Sequence, residues 1–290
     1  MSKVILITGA STGFGRDTAE TLGRAGHTVF ASFRDIDGRN RAHATALRAQ
    51  NIHVVELDVT SDASVDTAVR AVLSQSKRLD VLINNAGIGA AGVSEAFTPD
   101  QVQAMFNVNV LGVQRTLRAA LPAFRKQKDG LIINIGSILG RVTFPFFGLY
   151  GASKFALEAM TESYRYELSQ LGIDVVLVQP SAYLTPFYTS VQQPADPKRA
   201  GEYGAVGEIP GKMFGTFMEM FKGPNAPNPH DIAEAIATLV SQPKGTRAAR
   251  TVVGKAFGAD VINRDNAVAQ AQTVAALGLA QLDLPAHKAA

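Results

Sequence analysis

Short apolar runs with no polar alternation recur along this chain between longer amphipathic stretches, and that recurrence constrains its fold most. VILI at 4–7, LII at 131–133 and VVLV at 175–178 are the clearest. A strand with one wet face alternates apolar and polar residues, whereas a strand covered on both faces does not. Strands are expected at 4–8, 28–33, 53–57, 81–84, 131–135, 174–178 and 251–253. Helical periodicity fills 16–25, 39–50, 64–76, 100–124, 147–171 and 231–239. Gly26 and Gly172 follow the first and fifth of these helices as C-terminal caps. Strand–helix–strand repetition implies right-handed crossovers. The expected fold is therefore α/β, a Rossmann-type doubly wound parallel sheet with helices on both faces.

The alternation breaks between 181 and 229, where prolines, glycines and the apolar run MFGTFMEMF (213–221) gather. With 290 residues, 46% of them hydrophobic, the chain can build one sizeable core. We read a single domain over 1–290, with a substrate-lid insertion at about 181–229 and a C-terminal extension after about 258. Charge excludes some partners. The net charge is +3, and no Lys/Arg run is dense enough to follow a nucleic-acid backbone. The densest stretch, 39–48, reads as the polar face of a helix. There is no cysteine, so disulfides, thiolate catalysis and cysteine-based zinc sites are excluded, and no metal is expected. The N-terminal MSKVILITGA enters a strand at once, leaving no room for a signal peptide. No apolar run approaches the ~20 residues that cross a bilayer. A cytoplasmic enzyme or binding protein without a membrane partner is expected.

TGASTGFG, at 8–15, follows the first strand and opens the first helix. A helix start presents free N–H groups and the positive end of the helix dipole. Gly9, Gly13 and Gly15 let the backbone approach a pyrophosphate with no Cβ in the way, and Ser11, Thr12 and Phe14 share the loop. A glycine-rich turn alone would also connect a strand to a helix. The strand before it and the helix after it favour dinucleotide binding.

Three later stretches complete an ordered set: Asn84-Asn85-Ala86-Gly87, Ser137 after LIINIG, and Tyr150-Gly-Ala-Ser-Lys154. With the Gly-x-x-x-Gly-x-Gly loop, this set resembles the classical short-chain dehydrogenase/reductase family over about residues 3–260. Tyr150 and Lys154 are four apart, hence on one helix face. A free tyrosine has a pKa of about 10. A nearby ammonium, and the positive charge of an oxidised nicotinamide, would lower it and let Tyr150 act as general acid in reduction and base in oxidation. Ser137, at the carboxyl edge of the sheet, can hydrogen-bond the substrate oxygen. The resemblance assigns Asn109, rather than nearby Asn107, to a water-linked proton relay with Lys154. It places Asn85, Ala86 and Gly87 against the adenosine ribose, Asp58 on the adenine amino group and Val59 beside the ring. Pro180 lies at the nicotinamide end, and Thr185 would bond the carboxamide. The family usually has glycine where Ser181 stands.

Cofactor choice is read at the end of the second strand, VFASFRD. NAD-preferring members carry an acidic residue at the position that Phe33 takes here, followed by Arg34. A guanidinium can pair with a 2′-phosphate, so NADP(H) is expected ahead of NAD(H). A slip of one residue would bring Asp35 into that place instead.

Phe144, Phe146 and Phe147 fall between Ser137 and Tyr150, and Phe187 and Tyr188 open the insertion. Ser137, Phe144, Tyr150 and Phe187 are the candidate substrate contacts, for a small molecule that is an apolar or aromatic ketone or alcohol. The same aromatics could simply pack a lid. The family resemblance further implies a homodimer or homotetramer. The expected activity is NADP(H)-dependent oxidoreduction at a carbonyl or secondary alcohol; the alternative is a non-catalytic NADP-binding sensor of the same fold.

Overall fold

The structure is a computed structural model that describes residues 2–223 and 225–283. Its elements run β1 (Val4–Thr8), α1 (Gly13–Arg24), β2 (Thr28–Phe33), α2 (Arg41–Arg48), β3 (His53–Glu56), α3 (Asp62–Ser76) and β4 (Val81–Asn84). Then come α4 (Pro99–Phe106), a π-helical segment (Asn107–Leu111), α5 (Gly112–Gln127), β5 (Gly130–Ile135), α6 (Gly148–Ser169) and β6 (Ile173–Pro180). The remainder is α7 (Pro186–Thr189), α8 (Pro197–Gly201), α9 (Ile209–Met220), α10 (His230–Ser241), β7 (Arg250–Val253) and α11 (Ala259–Ala276).

The seven strands form one sheet in the order β3-β2-β1-β4-β5-β6-β7, every pair parallel. All five residues of β1 and all six of β5 are buried, as an inner strand with both faces covered must be. The edge strands β3 and β7 are only partly covered. Side chains alternate between two cores. Ile5 and Ile7 pack with Leu22, Leu47 and Ile236 of α1, α2 and α10. Leu6 packs with Val72, Leu117, Phe124 and Leu157 of α3, α5 and α6. Each such fully buried aliphatic side chain stabilises the fold by about 1.5–3 kcal/mol.

Strand order reverses between β1 and β4, so the crevice above their carboxyl ends is where a ligand fits such a sheet. Three expected elements differ. The helix expected over 100–124 is α4 and α5 joined through the π turn at Asn107–Leu111. Apolar periodicity runs through that turn, so one added residue in the backbone winding leaves no mark in it. The helix expected from 39 begins at Arg41, because Asp35 folds the chain into a turn with φ +56° and accepts from Arg39 N–H. The weak pattern after 258 is an 18-residue helix, α11.

Candidate active site

The β1–α1 loop is shaped by close approach. A Cβ on Gly9 (φ +67°) would lie 2.7 Å from Ala86 Cα, and one on Gly15 would lie 2.4 Å from Asn85 Nδ2. The side chain of Thr12, the residue before α1, makes no capping hydrogen bond, which leaves the helix start open to an anion from the crevice. Thr8 ties this loop to β4: its hydroxyl accepts from Asn85 N–H and Ala86 N–H, each at 3.1 Å. Asn85 Nδ2 donates to the carbonyls of Thr8 and Gly9 at 2.9 Å. Asn84 lies beneath, bonded to Asn134 and Thr116 across the sheet.

Ser137 follows β5, and its hydroxyl accepts from Leu139 N–H at 3.1 Å. Burial pushes the Tyr150 hydroxyl above its ordinary value, and the nearby Ser137 hydroxyl opposes that rise. Lys154 is buried and donates from Nζ to Ile135 O at 2.8 Å, with Nζ 5.7 Å from the Tyr150 ring centre. Burial pushes this ammonium down to about 8, with the Glu158 carboxylate opposing. The expected depression of Tyr150 by Lys154 is therefore absent from the protein alone. Nζ gives one of its three N–H groups to the strand carbonyl, and desolvation dominates the phenol.

Asn109, 1% exposed, lies in the π segment. Its Oδ1 accepts from Ile88 N–H at 2.9 Å, and its Nδ2 donates to Ile88 O at 2.9 Å and to Ser153 Oγ at 3.0 Å. Ser153 in turn donates to Tyr150 O at 2.7 Å. The Asn109 side chain thus clamps the segment after β4 to α6.

One cavity of about 640 Å³ joins the glycine loop to Ser137, Tyr150 and Lys154. Along one side run Gly9, Ser11, Thr12, Gly13, Phe14, Arg34, Asp58, Val59, Asn85, Ala86 and Gly87. At the other end stand Ser137, Phe144, Tyr150, Lys154, Pro180, Thr185 and Phe187. Burial raises the Asp58 carboxyl, but hydrogen bonds from Thr60 and the nearby Arg34 charge outweigh it and hold it below the usual range. Arg34 Nη1 stands 3.8 Å from Asp58 Oδ2. Asp35 does not line the cavity; its carboxylate is turned back onto Arg39 N–H. Ser181 takes an ordinary backbone conformation, and its N–H donates to Val253 O at 2.9 Å. Gly254 opposite, at φ +84°, has no Cβ to meet it.

The short chain dehydrogenase family profile matches residues 3–196. The chain belongs to the short-chain dehydrogenase family. It is 40% identical over 185 residues to a 3-ketodihydrosphingosine reductase of Bacteroides thetaiotaomicron, covering 64% of this chain and 65% of that protein. It thus spans just under two thirds of that relative's length. A short-chain dehydrogenase from Streptomyces avermitilis superposes with a TM-score of 0.76 at 28% identity, over 96% of this chain and 97% of that one. A 3-ketoacyl-(acyl-carrier-protein) reductase from Brucella melitensis, complexed with NADH, gives 0.72 at 29% identity over 87% and 96%.

Gly15, Asn109 and Phe146 stand apart from the cavity that this short-chain dehydrogenase presents. Gly15 serves the packing of α1 on Asn85 and Gly9, Asn109 holds Ile88, and Phe146 offers its carbonyl to Gly92 N–H. Phe147 and Tyr188, already noted among the aromatics, line the wall, and the structure adds Arg39, Phe217 and Phe257. Phe217 of α9 packs edge-on to Phe147 at 6.3 Å, and Phe257 to Phe144 at 5.4 Å. MFGTFMEMF marked Phe217 as an apolar candidate. Nothing local marks Phe257, which the β7–α11 connection carries to the cavity at φ +51°. Among the described residues no helix is long and apolar enough to cross a membrane.

Proposed function

We propose that this short-chain dehydrogenase is an NADP(H)-dependent oxidoreductase acting on an apolar or aromatic carbonyl or secondary alcohol, with Tyr150 as general acid/base. The carrying observation is the convergence of Ser137, Tyr150 and Lys154 on the cavity that the glycine loop also lines. The residues present fit a dinucleotide: the Gly9 and Gly15 contacts leave no room for side chains, and the start of α1 lacks a side-chain cap. Gly9, Ser11, Thr12, Gly13 and Phe14 would hold the pyrophosphate, Asp58 and Val59 the adenine, and Pro180 and Thr185 the nicotinamide end. A nicotinamide cofactor, when bound, supplies or accepts the hydride.

The protein's own part is proton transfer and charge stabilisation. In reduction the Tyr150 O–H, kept protonated by burial, donates to the substrate oxygen as that oxygen gains charge. Ser137 O–H donates a second hydrogen bond to the same oxygen. The Lys154 ammonium then faces the tyrosinate left behind and stabilises it. Oxidation runs these transfers backwards. Arg34 supports NADP(H), because its guanidinium can meet a 2′-phosphate; Arg39, a second cation on the wall, is already paired with the Asp35 carboxylate at 3.6 Å. Phe144, Phe147, Phe187 and Phe217 support a bulky apolar substrate, as does the 3-keto compound in the name of the Bacteroides relative. A homodimer or homotetramer would cover Leu111 and Phe155, which are 48% and 42% exposed.

The test is NADPH and NADH consumption with a panel of aromatic and aliphatic ketones and aldehydes, alongside Tyr150→Phe. Turnover with NADPH that collapses in the variant is the expected result. Tight NADPH binding with no Tyr150-dependent turnover in either direction overturns the catalytic reading in favour of an NADP-binding sensor. A clear NADH preference overturns the role given to Arg34.

A further inference from the structure

Behind the candidate site lies a charged cluster that the proposed chemistry does not use. Glu158, one turn beyond Lys154 on α6, is 3% exposed. Its carboxylate meets Arg141 Nη2 at 3.0 Å and accepts from Arg250 Nε at 2.8 Å and from Gln179 Nε2. These partners come from three segments that carry the site. Arg141 follows the Ser137 turn, Gln179 precedes Pro180 at the end of β6, and Arg250 opens β7. The Ser137 turn is seated directly on α6, since a Cβ on Gly140 would lie 2.9 Å from Glu158 Cγ and 3.1 Å from Lys154 O. Arg250 also binds Glu162, which Arg165 neutralises from the far side, and Asn263 holds Gln179 at 2.6 Å.

Stability does not explain such a cluster. Buried ion pairs can often be replaced by apolar side chains at no loss, and here Arg141 Nε is buried with no partner among the described residues. What the cluster does place is the buried Glu158 carboxylate, held between the Arg141 and Arg250 guanidiniums, one helical turn from the buried Lys154. We propose that Glu158 is a positioning residue of this oxidoreductase, whose carboxylate, gripped by Arg141 and Arg250, sets the charge state of Lys154. The inference rests on Lys154 serving the reaction proposed above. Burial drives the Lys154 ammonium down and Glu158 is the group that opposes it, while Arg141, Arg250 and, through Arg250, Glu162 act on Glu158. Removing the Glu158 charge makes Lys154 lose its proton at lower pH. Removing the Arg141 charge leaves Glu158 less compensated, so Lys154 keeps its proton to higher pH.

The experiment is carbamylation of the full chain by cyanate, small enough to enter the cavity, with Lys154 labelling measured by mass spectrometry against exposed Lys212 from pH 6 to 11. The labelling ratio breaks where Lys154 loses its proton, expected near 8 in the wild type. Glu158→Gln should move the break down by about 0.5 pH or more, and Arg141→Gln should move it up. The alkaline limb of kcat/KM should follow in each variant. Folded variants with unmoved breaks, or breaks that move the same way, overturn the proposal; if Glu158→Gln does not fold, the upward shift in Arg141→Gln decides alone. Loss of the function reading is a separate result: wild-type protein without Tyr150-dependent turnover removes that reading and leaves the labelling result standing.

Discussion

Tyr150 and Lys154 share a helix face but carry opposite distortions, the phenol pushed up and the ammonium pushed down, both first by burial. Tyr150→Phe keeps the ring that packs 5.7 Å from Phe187 and removes only the proton donor. Turnover should fall by about 10²–10⁴-fold with NADPH affinity unchanged, read by steady-state kinetics and nucleotide fluorescence. Lys154 has a stability consequence as well. Between about 8 and 10.5 the unfolded chain keeps a proton that the folded protein has released. The unfolded state then binds more protons, so this residue's contribution makes stability rise with pH across that window. Lys154→Met should flatten the rise, visible as Tm differences between the two proteins from pH 7.5 to 9.5. At the cofactor end, Arg34→Ser should weaken NADPH by about 10–100-fold, the value of a charge-assisted hydrogen bond, and leave NADH nearly unchanged.

Among the elements, the π turn does the most to place the site. It carries Asn109, whose amide satisfies both backbone groups of Ile88 and reaches Ser153 on α6. Asn109→Ala would leave buried backbone groups unpaired and should cost about 1–3 kcal/mol in urea unfolding, with kcat falling more than KM rises. α1 depends on glycine for another reason. A methyl on Gly15 meets Gly9 O at 2.6 Å as well as the Asn85 amide, so Gly15→Ala should push α1 off the loop. Calorimetry should show destabilisation of about 1–3 kcal/mol, together with weaker NADPH binding.

Over the whole molecule, four distant stretches build the apolar end of the cavity: 144–147 before α6, Phe187 and Tyr188 of α7, α9, and the connection from β7 to α11. Phe257 pairs edge-on with the distant Phe144 and stands 41% exposed at the rim. Phe257→Ala should lower kcat/KM most for the largest ketones in the panel and least for the smallest, because it removes wall surface and touches no reacting group. A uniform loss across the panel would instead mean that Phe257 steadies α11.

The parallel sheet was legible because a strand covered on both faces must be apolar throughout, a local property of each run. Ser137, Tyr150 and Lys154 were legible because, together with the glycine loop and Asn84–Gly87, they stand in the order that resembles a known family; spacing by itself only puts Tyr150 and Lys154 on one helix face. Other features depended on contacts between segments far apart in sequence. Arg34, rather than Asp35, faces the cavity because Glu56 of the neighbouring strand accepts from the N–H groups of Asp35 and Ile36, fixing the turn with φ +56°. The π turn is invisible to periodicity, and Phe257 enters the site only once β7 pairs with β6. The charge states of Tyr150 and Lys154 follow the same division: spacing put the two groups together, but burial, which exists only in the folded chain, decided which way each proton is held.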